Sequence, residues 1–369
     1  MTPFHASVST RIRPDVQAMH AYAVQDAHGM VKLDAMENPH SLPPELQAKL
    51  GQRLGALALN RYPAGRVNDL HAALKTYAPV PDGFDLMLGN GSDELISLLA
   101  LACAVPASAA NGFKKAVVLA PVPGFVMYAM SAQLQGMDFV GVPLTADFEL
   151  DESAMLAAID EHKPAITYLA YPNNPTANLW NDDSIEKIIV AAGEQGGLVV
   201  MDEAYQPFAS HSYLNRLTRH SHVLLLRTLS KFGLAGVRLG YLIGPHTLVA
   251  EIDKVRPPYN VSVLNCEAAL FALEHQEVFE AQARDICAQR ALLFEALAKL
   301  PQVHAFPSQA NMLLVRVPDA QKTFDGMAAR GVLVKNVSKM HPLLAQCLRL
   351  TVGTATENRL MLAALEASL

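Results

Sequence analysis

Residues 165–205 read AITYLAYPNNPTANLWNDDSIEKIIVAAGEQGGLVVMDEAY. Two short apolar runs, AITYLA (165–170) and GLVVMD (197–202), flank a Pro/Asn turn and a helical pattern over 182–194. Runs of that length, apolar on both faces, are strands covered on both sides. A strand, helix, strand unit needs a crossover, which makes the two strands parallel. The texture continues outward. KAVVLA (115–120), HVLLLRTL (222–229) and LGYLIG (239–244) read as further strands, and 125–134 and 152–161 as further helices. The chain is therefore expected to form an α/β domain with a mainly parallel sheet sandwiched by helices.

Beyond residue 265 the pattern changes. Residues 266–300 are a long Ala- and Leu-rich amphipathic run, followed by the short strands NMLLVRV (311–317), GVLVKNV (331–337) and CLRLTVG (347–353). This predicts a second, smaller α+β domain, on which the first 40 residues pack because they hold no sheet of their own. The expected division is 41–265 for the large domain, and 1–40 with 266–369 for the small one.

The composition narrows the function. With 369 residues, 51% hydrophobic and 17% charged, the chain has the material for a large packed core and is neither disordered nor fibrous. Lys and Arg number 29 against 35 Asp and Glu, a formal net charge of -6, so no global field attracts a polyanion. Cys103, Cys266, Cys287 and Cys347 lie far apart, which argues against a disulfide framework or a cysteine zinc site. The opening MTPFHASVSTRIRPDVQ lacks an apolar signal core, and the longest apolar stretch, Ile96 to Ala110, contains Pro106 and is short for a membrane span. A cytoplasmic location is expected.

Several chemistries are excluded by motif: there is no GxxxxGK[ST] loop, no GxSxG elbow and no HExxH. GNGSDE (89–94) begins like a dinucleotide fingerprint but has Glu94 in place of the last glycine, and the 13 histidines show no ligand spacing. What remains lies at strand ends. Asp202 follows GLVVM, at the carboxyl end where α/β sheets carry ligand sites, although a carboxylate there also serves as a cap. RTLSKFGLAGVRLGY (227–241) brings Thr228, Ser230, Lys231 and Arg238 after another strand, and YPNNPTAN (171–178) turns after AITYLA. Three strand ends thus point polar groups into one crevice.

Taken together, GNGSDE, PNNPTA, DEAY, SK followed by GLAG and R.GY, and LRLTVG, in this order, resemble the fold type I aminotransferases that use pyridoxal 5'-phosphate (PLP). The likeness runs from about KLDAMENP (32–39) to LRLTVGT (348–354), and ENP, RYPAG (61–65), GNGSDE and CLRLTVGT resemble the branch that acts on histidinol phosphate. The resemblance implies that Lys231 carries the cofactor as an imine and shuttles a proton, while Asp202 keeps its pyridine nitrogen protonated. It implies that Tyr205 and Asn174 hold the phenolic oxygen and that Tyr128 stacks on the ring. Ser92, Thr228, Ser230, Arg238 and the helix start at Asp93 would take the phosphate. The spacing from Lys231 to Arg238 is seven, one fewer than in many relatives. Arg349 resembles the substrate's anion clamp, Asn38 would touch substrate, and Lys335 stands where some relatives have arginine. Tyr62 resembles a tyrosine that reaches the partner's active site, which implies a homodimer. The implied reaction moves an amino group between histidinol phosphate and 2-oxoglutarate, giving imidazole acetol phosphate and glutamate, in histidine biosynthesis. Aromatic amino acid transamination and a lyase of the threonine-phosphate decarboxylase type use nearly the same motifs and stay open at this point.

Overall fold

The computed structural model describes residues 11–19, 25–105, 112 and 114–369; the opening residues 1–10 and Pro106, both read above for targeting or membrane signals, lie outside this set. A seven-stranded sheet forms the centre of the larger part. Its strands are β2 (Phe84–Gly89), β3 (Val117–Val122), β4 (Asp138–Pro143), β5 (Ile166–Ala170), β6 (Leu198–Asp202), β7 (Val223–Thr228) and β8 (Gly240–Pro245), in the order β2-β8-β7-β6-β5-β3-β4. From β7 through β4 neighbouring strands are parallel, whereas β8 runs antiparallel to both β7 and β2.

All residues of β5 and β7 are buried, which is why their sequences show no alternation. Leu224, Leu225 and Leu226 are each fully removed from solvent, and each such side chain contributes roughly 1.5–3 kcal/mol on burial. The covering helices include α1 (Pro44–Gly55), α2 (Ala64–Tyr77), α3 (Ser92–Cys103), α4 (Val126–Leu134), α5 (Glu152–His162), α6 (Asp182–Glu194) and α7 (His246–Asp253). Helix α6 starts where Asn181 caps the amides of Asp183 and Ser184, and it buries Ile185, Ile188 and Ile189 against the sheet.

Register matters for the site. Ala170 pairs with Asp202, Asp202 with Leu226, and Thr228 with Gly240, which itself pairs with Gly89. The ends of β2, β5, β6 and β7, and the loops that follow them, therefore share one edge of the sheet.

The region beyond 265 starts with α8 (Val263–Glu274) and α9 (Gln276–Leu297), separated at His275, where the expected single run breaks. Helix α8 packs on α1 and α2. Helix α9 reaches the second sheet, formed by β9 (His304–Ala305), β10 (Met312–Arg316), β12 (Lys335–Asn336) and β13 (Cys347–Thr351) in the order β12-β13-β10-β9. GVLVKNV is not one strand. Its first half, β11 (Val332–Leu333), pairs in parallel with β1 (Val31–Lys32), and its second half joins the four-stranded sheet. That pairing brings residues 31–38 onto the smaller part as a strap. Helices α10 (Ala320–Ala329) and α11 (Ala355–Glu366) cover this sheet, and Thr354 opens α11 with a capping box to Glu357. No helix of the described residues is long and apolar enough to cross a membrane.

Candidate active site

At the shared sheet edge lies a cavity of about 330 Å³. Its deepest acid is Asp202, 5% exposed at the end of β6, which accepts hydrogen bonds from the Tyr128 hydroxyl (2.6 Å) and the Ala204 amide (3.0 Å). Burial pushes its pKa up to about 6, against the pull of those two donors toward the charged form. The next residue, Glu203, faces elsewhere. It accepts from Arg227 Nε (3.0 Å), from Ser212 Oγ (3.1 Å) and from the Tyr213 amide (2.5 Å), a buried ion pair that ties β6 to β7 behind the site.

Tyr128 departs from the stacking role that the resemblance implied. Its ring lies flat on Tyr168 with centroids 4.2 Å apart, and its hydroxyl is spent on Asp202. The aromatic that lines the cavity with more of its surface free is Phe125, three residues earlier and edge-on to Tyr128 at 5.7 Å. The spacing of three residues at a helix start was the available signal for it.

Opposite this acid, Asn174 Nδ2 donates to the Tyr205 hydroxyl (3.0 Å), and Arg349 Nη1 donates to Asn174 Oδ1 (2.8 Å). Burial holds the Tyr205 phenol well above its ordinary range, so it is a neutral O–H donor at physiological pH. The second arm of Arg349 donates to the Asp34 carbonyl (2.7 Å). Arg349 sits in β13, 8% exposed, directly across the ladder from Lys335.

Lys231 enters from the turn after β7. Its Nζ donates to the Ala35 carbonyl (3.0 Å) and lies 5.7 Å from the centre of the Tyr205 ring. Burial, then the charge of Arg349, lowers its pKa to about 8. Gly233 makes the tight turn possible: its φ is 139°, and a Cβ there would stand 2.8 Å from the Phe279 ring.

The other end of the cavity is built for an anion. Helix α3 begins at Ser92 after Gly91, so its first amides point into the cavity without helical partners. Thr228 and Ser230 add hydroxyls bonded to one another (3.0 Å), and Arg238 reaches Asp93 Oδ2 at 3.5 Å. At Gly240 a Cβ would lie 2.7 Å from the Ser92 amide nitrogen, so only glycine lets β8 come this close to the helix start.

Ser92, Asp93, Tyr128, Asn174, Asp202, Tyr205, Thr228, Ser230, Lys231 and Arg238 all line this one cavity, and Arg349 joins it through Asn174. Asn38 and Tyr62 do not. The Asn38 amide donates to the Phe232 carbonyl (3.3 Å) and to Gln282 (2.9 Å), which braces the lysine turn from behind. Tyr62, 75% exposed, stacks on Tyr259 at the surface with centroids 4.4 Å apart. Phe125 and the strap residues Ala35, Met36 and Glu37 are lining residues that the sequence reading did not single out. The strap runs into the ENP motif (37–39), but its place in the fold comes from the β1 to β11 pairing.

Residues 29–365 match the family model for class I and II aminotransferases. The chain is 74% identical to a histidinol-phosphate aminotransferase of Polaromonas naphthalenivorans, over 97% of this chain and 96% of that protein. It is 66% identical to one of Paracidovorax citrulli over the whole of both. Among solved structures, the histidinol-phosphate aminotransferase of Sinorhizobium meliloti in complex with pyridoxal-5'-phosphate has the same fold, with a TM-score of 0.82 at 24% identity and 96% of each chain covered. The L-threonine-O-3-phosphate decarboxylase of Porphyromonas gingivalis shares the fold with a TM-score of 0.75 at 21% identity, covering 91% of this chain and 98% of that one.

Proposed function

The chain belongs to the class I and II aminotransferases, and from that premise we propose that it transfers an amino group between histidinol phosphate and 2-oxoglutarate, with PLP as its cofactor. One observation carries the reading: a lysine of lowered pKa, a buried acid and an anion-binding helix start meet in a single cavity, in a chain 74% identical to a histidinol-phosphate aminotransferase.

The residues present fit the cofactor. The close approach at Gly240 leaves α3 amides, Thr228, Ser230 and Arg238 as a cradle for its phosphate. Asp202, at the far end, would hold the ring nitrogen, and Tyr205 and Asn174 would hold the phenolic oxygen. Bound there, PLP supplies an aldehyde that takes up amino groups and a ring that accepts electrons from Cα.

The protein's own residues do the rest. Lys231, with its pKa lowered to about 8, has a substantial neutral fraction near pH 7–8, so Nζ can accept the Cα proton and return it. Asp202 keeps its negative charge toward a cationic ring only above its own pKa, and the Tyr128 hydroxyl holds that charge in place. Arg349 offers a planar fork that suits either a carboxylate or a phosphate ester, so one group serves both half-reactions. Lys335, opposite it across the ladder, adds a second positive charge nearby. Residues 41–265, with α8 packed onto them, form the cofactor-holding unit in this reading; 1–40 and the rest of 266–369 form the smaller unit that carries Arg349. The exposed Tyr62 and Tyr259 pair is the element through which a second copy would complete the site, making a homodimer. We place the enzyme in the cytoplasm, as a step of histidine biosynthesis.

The test is a half-reaction screen of the PLP-loaded protein. Histidinol phosphate and glutamate, added separately, should each bleach the visible absorbance of the lysine-bound cofactor. Bleaching by phenylalanine but not by histidinol phosphate would move the assignment to aromatic amino acids, and release of CO2 without any need for 2-oxoglutarate would move it to a lyase.

A further inference from the structure

Three carboxylates line the cavity, and two of them have evident work: Asp202 is held by Tyr128 and Ala204, and Asp93 pairs with Arg238 at the phosphate end. The third, Glu37, has none. It stands at the mouth, with its side chain 46% exposed and hydrogen-bonded to Lys32, which does not line the cavity. Its charge is felt at Lys231.

The backbone that presents Glu37 is pinned on both sides. Before it, the Met36 amide donates to Thr351 Oγ1 (3.1 Å) and the Met36 carbonyl accepts from Asn311 Nδ2 (2.9 Å). After it, the Asn38 side chain is tied to Phe232 and Gln282, and its Oδ1 accepts from the His40 amide (2.9 Å). Met36 itself has φ 51°, a left-handed conformation that is unfavourable for a residue with a Cβ. A strained, immobilised turn thus holds one carboxylate at the mouth of a cavity whose other two acids are already engaged, by Tyr128 and by Arg238, and to which Lys231, Arg238 and, through Asn174, Arg349 bring positive charge.

Such a cavity selects for a substrate with a negative end and a positive or N–H-bearing end. Arg349 and Arg238 attract anions; neither recognises an imidazole. We propose that Glu37 is a specificity-determining residue that accepts a hydrogen bond from the imidazole ring of the substrate, most strongly when that ring is an imidazolium. This rests on the functional reading above and names the group that reads the heterocycle. Lys32 is its resting partner and gives way to the ring.

The experiment compares kcat/KM in the holoenzyme for three amino donors: histidinol phosphate, alaninol phosphate, which keeps the phosphate but lacks the ring, and glutamate. For Glu37→Gln, the ratio of histidinol phosphate to alaninol phosphate should fall about tenfold, equivalent to about 1.4 kcal/mol. In the wild type this ratio should decline as pH rises through the imidazole range near ~6.5, and in Glu37→Gln the decline should flatten. A ratio unchanged in Glu37→Gln, or a loss shared equally by both phosphate donors, overturns the assignment, because a general folding or cofactor defect moves both donors together. Wild-type protein that aminates from alaninol phosphate and glutamate but not from histidinol phosphate instead overturns the underlying functional reading, and the Glu37 assignment falls with it.

Discussion

The two halves of the site are held in place by different means. Asp202, Thr228 and the helix start at Ser92 are set by strand ends whose partners are fixed residue by residue, Asp202 against Ala170 and Leu226, Thr228 against Gly240. Arg349 is also on a strand, but its guanidinium is aimed by hydrogen bonds to Asn174 and to the Asp34 carbonyl of the strap. The first half is set by sheet register, and displacing it means disrupting the core. The second is set by contacts that an incoming anion can replace one at a time. A cofactor that stays bound and substrates that come and go call for this division.

The largest effect expected from breaking the first half is at Lys231. Lys231→Met should lower the transamination rate by about 10⁴-fold or more, since both attachment and proton transfer are lost. Its apoprotein should also differ in stability. The lysine's folded pKa of about 8 lies below its ordinary 10.5, so between those values the unfolded chain binds more protons and stability rises with pH. Denaturant titrations of the apoprotein should show that rise in wild type and not in Lys231→Met. A slope shared by both proteins would remove the buried-amine account.

A cut in the second half should be milder and confined to substrate. Arg349→Gln should cost about 2–5 kcal/mol in kcat/KM for histidinol phosphate, while the affinity of the apoprotein for PLP, measured by absorbance titration, changes little. Equal losses in both measurements would mean that the clamp and the cofactor grip are one unit, which removes the contrast between the halves.

The smallest effect sharpens the first half. Tyr128→Phe removes the 2.6 Å hydrogen bond to Asp202 and leaves a buried carboxylate with less support for its charge, so its pKa rises above the present value of about 6. Hydrogen bonds to charged groups are worth about 1.5–3 kcal/mol, which converts to a shift of about one to two pH units. The acidic limb of PLP binding to the apoprotein should move up by that amount. Weakening uniform across pH would reduce Tyr128 to packing.

The sequence was most readable where burial was complete. β3, β5, β6, β7 and β8 sit within a residue or two of their expected ranges, because strands covered on both faces show continuous apolar runs. β4 is an edge strand with exposed positions, and β2 pairs antiparallel at the other edge; neither has that signature, and neither was read. Of the site, the groups at strand ends were legible because motif and position agree. The role of Tyr128 was not, because a stacking ring and a hydrogen-bond donor have the same residue type and helical spacing. The strap was marked by KLDAMENP and ENP, but its place at the cavity was not legible, because it depends on a two-residue pairing between Val31–Lys32 and Val332–Leu333, some three hundred positions apart, which no local pattern encodes.

That strap sets the terms on which anions bind. The carbonyl of Asp34 already occupies a donor of Arg349, so the protein carries an internal competitor for the substrate's anion. Substrate affinity is then a difference between the anion and a peptide oxygen at Arg349, and loosening the strap's anchor at Thr351 should tighten anion binding even as it weakens the fold.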